Sequence, residues 1–106
     1  MAARVREVVW AQSARDSLDA VIEYIAQDSP QAAVQVLDHA LHASASLATF
    51  AERGRVVPEL NDPAIRELFV DKYRLQYEVG DVRVLIVTFL HGARDFATWQ
   101  ESQDRE

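Results

Sequence analysis

The chain has 106 residues, a mass of 12.0 kDa and a net charge of −6, which allows one domain with roughly two-thirds of its surface buried. Hydrophobic residues at 49% and charged residues at 26% give a globular balance, not a disordered one. The lack of cysteine excludes disulfide scaffolds, thiol catalysis and finger-type zinc, and no apolar run approaches the roughly 20 residues that span a bilayer. With no signal-peptide-like apolar stretch near Met1, the expectation is a soluble cytoplasmic protein without membrane attachment. Residues 1–52 carry a charge of −4, residues 53–94 carry +1 and residues 95–106 carry −3. Any basic face is therefore local, and direct nucleic-acid binding is expected to be weak or absent.

Arg4–Trp10 is β-branched and aromatic and reads as a strand. Ser13, with Asp16 three residues on, reads as a helix cap, and Ala14, Leu18, Val21, Ile22 and Ile25 recur at helical spacing. Ser29-Pro30 caps a second helix, whose stripe is Ala33, Leu37, Ala40, Leu41, Ser44, Leu47 and Ala48. Gly54 is placed to end it in the left-handed conformation. Period-two alternation then takes over, with strands expected over 66–70, 73–79 and 82–90. A Gly80-Asp81 turn would place Val79 opposite Val82, Glu78 opposite Arg83 and Arg74 opposite Val87. The fold class is α+β: an N-terminal strand, an antiparallel two-helix hairpin, then a three-stranded antiparallel sheet. It forms one domain over 1–106, with 97–106 expected to fray.

The residues offer no recognised catalytic motif. His39 and His42 lie three apart on the second helix, but no further ligand pair joins them, so no metal and no cofactor are expected. Ser44 and Ser46 have no histidine placed to activate them. A set of late cations stands out: Arg66, Arg74 and Arg94, with His91 nearby. They either bind phosphate bidentately or pair with Asp71, Glu67 or Asp95.

Several segments, in order, resemble the RelE/ParE superfamily of bacterial toxins from type II toxin–antitoxin modules. They are Trp10-Ala11-Gln12-Ser13-Ala14, Ile22-Glu23-Tyr24-Ile25-Ala26, Gly54-Arg55-Val56-Val57-Pro58-Glu59-Leu60 and Ile65-Arg66-Glu67-Leu68. Tyr73-Arg74-Leu75-Gln76-Tyr77-Glu78-Val79 and His91-Gly92-Ala93-Arg94-Asp95 complete the set. The resemblance implies the strand–helix–helix–three-strand fold and one of two activities. RelE-like members are ribosome-dependent mRNA endonucleases, with sheet arginines and lysines on phosphate and a tyrosine or equivalent base. ParE-like members inhibit DNA gyrase by trapping its cleaved-DNA intermediate.

Arg74 and Arg94 match positions where RelE-like toxins stabilise phosphate, but the paired lysines are missing and no tyrosine follows Arg94. His91 is the nearest candidate base. A charge of −6 also suits an RNA-lined ribosomal site poorly. The expectation is a ParE-like toxin without catalysis of its own, contacting its target through Arg66, Arg74 and Arg94 and held by a cognate antitoxin as a hetero-oligomer. The alternatives are a ribosome-dependent nuclease using Arg66, Arg74, His91 and Arg94, and a non-toxic binding module. The antitoxin surface is expected on the helices, at Tyr24, Val34 and Val36, each of which could instead belong to the core.

Overall fold

The computed structural model describes residues 5–92; Arg94 and the 97–106 tail lie outside the described residues. The chain runs β1 (Glu7–Trp10), α1 (Gln12–Ala26), α2 (Pro30–Ser46), β2 (Arg55–Val56), β3 (Ile65–Val70), β4 (Tyr73–Val79) and β5 (Arg83–His91). The strands form one five-stranded sheet in the order β1-β5-β4-β3-β2. The α+β class and the helical hairpin are as expected, but the sheet is mixed. β1 lies parallel to β5, whereas β2 to β5 are mutually antiparallel neighbours. No tight turn ties β1 to another strand, so its direction is set by docking rather than by a hairpin. β2 was not expected, because two residues cannot display a period.

Two expectations about the helix ends are corrected. The cap of α1 is Ala11, without a side-chain bond, since its amide already donates to Ile86 O (2.9 Å) and the strand runs directly into the helix. The hydroxyl of Ser13 instead donates to Val87 O at 3.4 Å. Ser29 does cap α2, accepting the Ala32 amide at 3.1 Å, with Pro30 at the first position. Helix α2 ends at Ser46, well short of Gly54. Gly54 matters for space: a Cβ there would lie 2.6 Å from both Glu67 O and the Tyr77 hydroxyl.

The β4–β5 register also differs. Val79 pairs with Val84 and Glu78 with Leu85, and the Gly80 amide donates to Arg83 O at 2.8 Å around Asp81 and Val82. Moving the register by two residues leaves every side chain on its own face, so alternation could not choose between the two pairings. An irregularity between Gln76 and Tyr77 makes Val87 the extra residue and sets Arg74 opposite Leu90. Arg83 meets Glu7 across the parallel ladder at 3.4 Å instead of Glu78.

The helices cover one face of the sheet. Ala14, Leu18, Val36, Ala40 and Leu47 pack there on Leu75, Tyr77, Val84, Ile86 and Phe89. Each large apolar side chain so buried contributes about 1.5–3 kcal/mol. A smaller cluster of Val57 and Leu90, with Leu60 and Ile65, roots the β2–β3 loop separately. Among the described residues no helix is long and apolar enough to cross a membrane.

The close approach at Gly54 is testable. Gly54→Ala should lower unfolding free energy by about 1–3 kcal/mol in urea titrations, as overpacking does elsewhere. Gly80→Ala, whose Cβ would meet Arg83 O at 3.1 Å, should cost less.

Candidate functional site

Of the arginines singled out from the sequence, the two that are described, Arg66 and Arg74, lie on opposite faces of the sheet. Arg66 pairs with Tyr77 across the ladder, and Tyr77 belongs to the helix-side core, so Arg66 faces that side. Its Nη1 donates to Gly54 O (3.0 Å) and Glu52 O (3.4 Å), bracing the segment that leads into β2. Arg74 lies on the opposite face and is 1% exposed. Of the two alternatives left open for it, phosphate binding or pairing with a carboxylate, the structure shows Arg74 paired with Glu67. His91 is exposed, with its ring edge-to-face on Tyr73 at 5.4 Å. His39 meets Asp71 at 3.0 Å and His42 Nδ1 donates to Asp38 O at 2.8 Å. No group of three metal-ligating side chains occurs among the described residues.

The face away from the helices carries a polar row that crosses the sheet. Register places Arg55 beside Glu67, Glu67 beside Gln76 and Gln76 beside Thr88. Glu67, also 1% exposed, is the centre. Its Oε1 accepts from Arg74 Nε (2.6 Å) and Gln76 Nε2 (3.1 Å), and its Oε2 accepts from Arg55 Nε (2.7 Å) and Nη2 (2.6 Å). Glu59, from the β2–β3 loop, takes the outer edge of Arg74: Nη1 donates to Oε2 (3.1 Å) and Nη2 to Oε1 (2.9 Å). Arg55 also lies over the Phe69 ring, 5.0 Å from its centroid.

The electrostatics follow from this geometry. Burial by itself would raise the Glu67 carboxyl, but donors from Arg74, Gln76 and Arg55 outweigh it and hold the group below its ordinary value of 4.5. The bidentate bond from Arg74 likewise lowers Glu59, against a smaller opposing effect of burial. Arg74 is held charged more firmly than usual by Glu59, against the cost of burial, with Glu67 adding to it. Burial pushes the Tyr77 hydroxyl up, while the bond from the Gly54 amide (3.0 Å) opposes that. The arrangement is closed on itself: a buried cation is neutralised by two carboxylates. Glu59, Arg55 and Gln76 were not expected members; the available signal was a polar residue at every second position of the strand carrying Arg74.

On the helical side, Tyr24 is 70% and Val34 57% exposed, one turn either side of the interhelical connection. Val36, expected with them, is 9% exposed and belongs to the core, because its turn of α2 faces the sheet. Leu41, read as stripe, is instead exposed.

Removing one partner of a buried ion pair strands the other charge, so Glu67→Gln should cost about 3–5 kcal/mol in denaturant titrations. Both Glu59 and Glu67 have folded values below 4.5, so their stabilisation is complete above that pH and is lost as pH falls through the lowered values. Wild-type stability should drop over that acidic range, and Glu67→Gln should drop less steeply.

The family model described as the ParE toxin of the type II toxin–antitoxin system, parDE, matches residues 8–96. Toxin RelE2 of Caulobacter vibrioides (strain ATCC 19089 / CIP 103742 / CB 15) is 40% identical over 89 residues, covering 83% of this chain and 97% of that protein. A solved structure described as the chromosomal ParDE TA system from P. aeruginosa superposes with a TM-score of 0.69 at 18% identity, over 84% of this chain and 98% of its own. That last likeness is one of fold. With the matched family model running from β1 through the end of the sheet, the chain belongs to the ParE toxin family of type II toxin–antitoxin systems.

Proposed function

We propose that this toxin acts on DNA gyrase, by binding and trapping the cleaved-DNA complex, and performs no chemistry of its own. The observation that carries the reading is the closure of Arg74 by Glu67 and Glu59, with Arg66 on the other face of the sheet. A ribonuclease needs cations turned toward the scissile phosphate and a base on the same surface. Among the described residues His91 is the sole candidate base from the expected set, and neither arginine presents its charge beside it. The charge of −6 opposes docking into RNA, and ParE-family membership supports the gyrase branch.

The test is purified toxin with gyrase, supercoiled plasmid and ATP, quenched with detergent and protease. Toxin-dependent linear DNA is the expected result. Normal supercoiling with folded, antitoxin-free toxin would overturn the reading. Cleavage of mRNA on programmed ribosomes would then favour the nuclease, and a second negative the binding module.

The cognate antitoxin is proposed to dock on the exposed apolar residues of the helical hairpin, Tyr24 and Val34; Leu41 is also exposed, further along α2. Tyr24→Ala with Val34→Asp should weaken antitoxin binding by about tenfold or more, with the melting temperature unchanged. Equal affinity in a titration calorimeter would remove these residues from the interface.

A further inference from the structure

Arg55, Arg74 and Arg83 each meet a carboxylate. Arg6 and Arg53 are held differently. Arg6 Nε donates to Gly80 O (2.8 Å) and Arg53 Nη1 to Ser46 Oγ (2.7 Å), and among the described residues neither makes an ion pair. Both converge on the turn that leads from α2 toward β2, where they line a groove of about 300 Å³ with Thr49, Phe50, Ala51 and Glu52. Phe50 stands there 64% exposed. The turn beneath it is held from several sides: the Arg6 amide donates to Ala48 O (2.8 Å), Ala51 is buried, and Arg66 Nη1 braces the carbonyls of Glu52 and Gly54. The Glu7 amide donates to Val82 O (3.0 Å) and so brings the β4–β5 turn to the same end, with Val82 77% and Val5 71% exposed.

We propose that this end of the molecule, Phe50 with Arg6, Arg53, Val5 and Val82, is the surface that grips gyrase, through a protein segment apolar on one side and acidic on the other. The proposal rests on the gyrase reading above and gives that contact a place. Arg74 is closed by Glu67 and Glu59, so the target is met elsewhere. Guanidinium groups bonded only to neutral acceptors keep their charge available to a partner. In the groove two of them face one acid, Glu52; Glu7 is paired with Arg83, and Asp81 stands outside the groove. An acidic protein segment suits this surface better than a DNA backbone does. Phosphates offer nothing apolar to cover Phe50, Val5 and Val82. A net charge of −6 also repels a polyanion as a whole, whereas a short acidic stretch is met within a Debye length of about 8 Å. The antitoxin surface lies apart from this one. Tyr24 and Val34 flank the start of α2 and Phe50 follows its end, and a helix of 17 residues, about 25 Å long, separates them.

The test uses the full chain, free of antitoxin, as wild type, Phe50→Asp and Arg53→Gln. Fluorescence anisotropy follows labelled toxin on gyrase loaded with plasmid, and parallel titrations use antitoxin and a bare DNA duplex. Phe50→Asp should weaken gyrase binding about ten- to a hundredfold, as loss of an aromatic anchor does, and reduce toxin-dependent linear DNA with it. Arg53→Gln should weaken binding less and flatten its salt dependence. Antitoxin affinity should stay the same in both variants, and Tyr24→Ala with Val34→Asp should leave gyrase binding intact. Gyrase binding that is equal in wild type and Phe50→Asp overturns this surface and leaves the gyrase reading standing. Wild type that neither binds gyrase nor yields linear DNA overturns both. If Phe50→Asp loses affinity for antitoxin or for the bare duplex instead of for gyrase, the surface belongs to that partner and the proposal is overturned. If Phe50→Asp does not fold, Val82→Asp, on the other side of Arg6, decides by the same readings.

Discussion

A carboxylate buried in the middle of a small sheet is tolerable only when several donors converge on it, and Glu67 is met by Arg74, Gln76 and Arg55. That requirement reaches into most of the second half of the chain. Arg55 has to lie beside Glu67, which needs β2, a strand of two residues, to pair with β3 at that point. The Gly54 carbonyl and the lack of a side chain at Gly54 let β2 come against Tyr77 and Arg66. Glu59 must then return over the open face to meet the far edge of Arg74. One ionic centre thus organises a face that has few apolar residues to organise it.

The two faces of the sheet are stabilised by different physics. The helix side is an apolar interior, in which small residues such as Ala14, Ala33 and Ala40 let the helices approach closely. Among the described residues the other side has only the small Val57–Leu90 cluster, so hydrogen bonding and charge take over. A low-dielectric setting strengthens those bonds and equally penalises any partner left alone. The consequence for function is that the strand arginine most suggestive of phosphate chemistry is committed to the fold.

The order of the elements, the amphipathic helices, the Ser29-Pro30 cap and the alternation of β4 were all legible from residue spacing. So was the kinship, through segments spread from Trp10 to the end of β5. The site was only half legible. Glu67 was foreseen as a possible partner for the arginines, but whether Arg74 faced solvent depended on a loop that has no periodic signal. Val36 illustrates the same limit on a helix: it lies two residues, about 200° of helix rotation, from exposed Val34, and packing on the sheet decides which of the two is buried.

What the sequence determined by itself is therefore what local periodicity and capping encode: which stretches are helix or strand, and which faces are apolar. The tertiary structure decided the rest. A shift of two residues in the β4–β5 register leaves the faces unchanged, and the extra residue at Val87 switches only the alternation of β5, so pattern alone could not say which β5 residue Arg74 meets. The parallel docking of β1 and the return of Glu59 to Arg74 are likewise contacts between distant parts of the chain. Their energies exist only once the sheet has formed, and no local spacing records them.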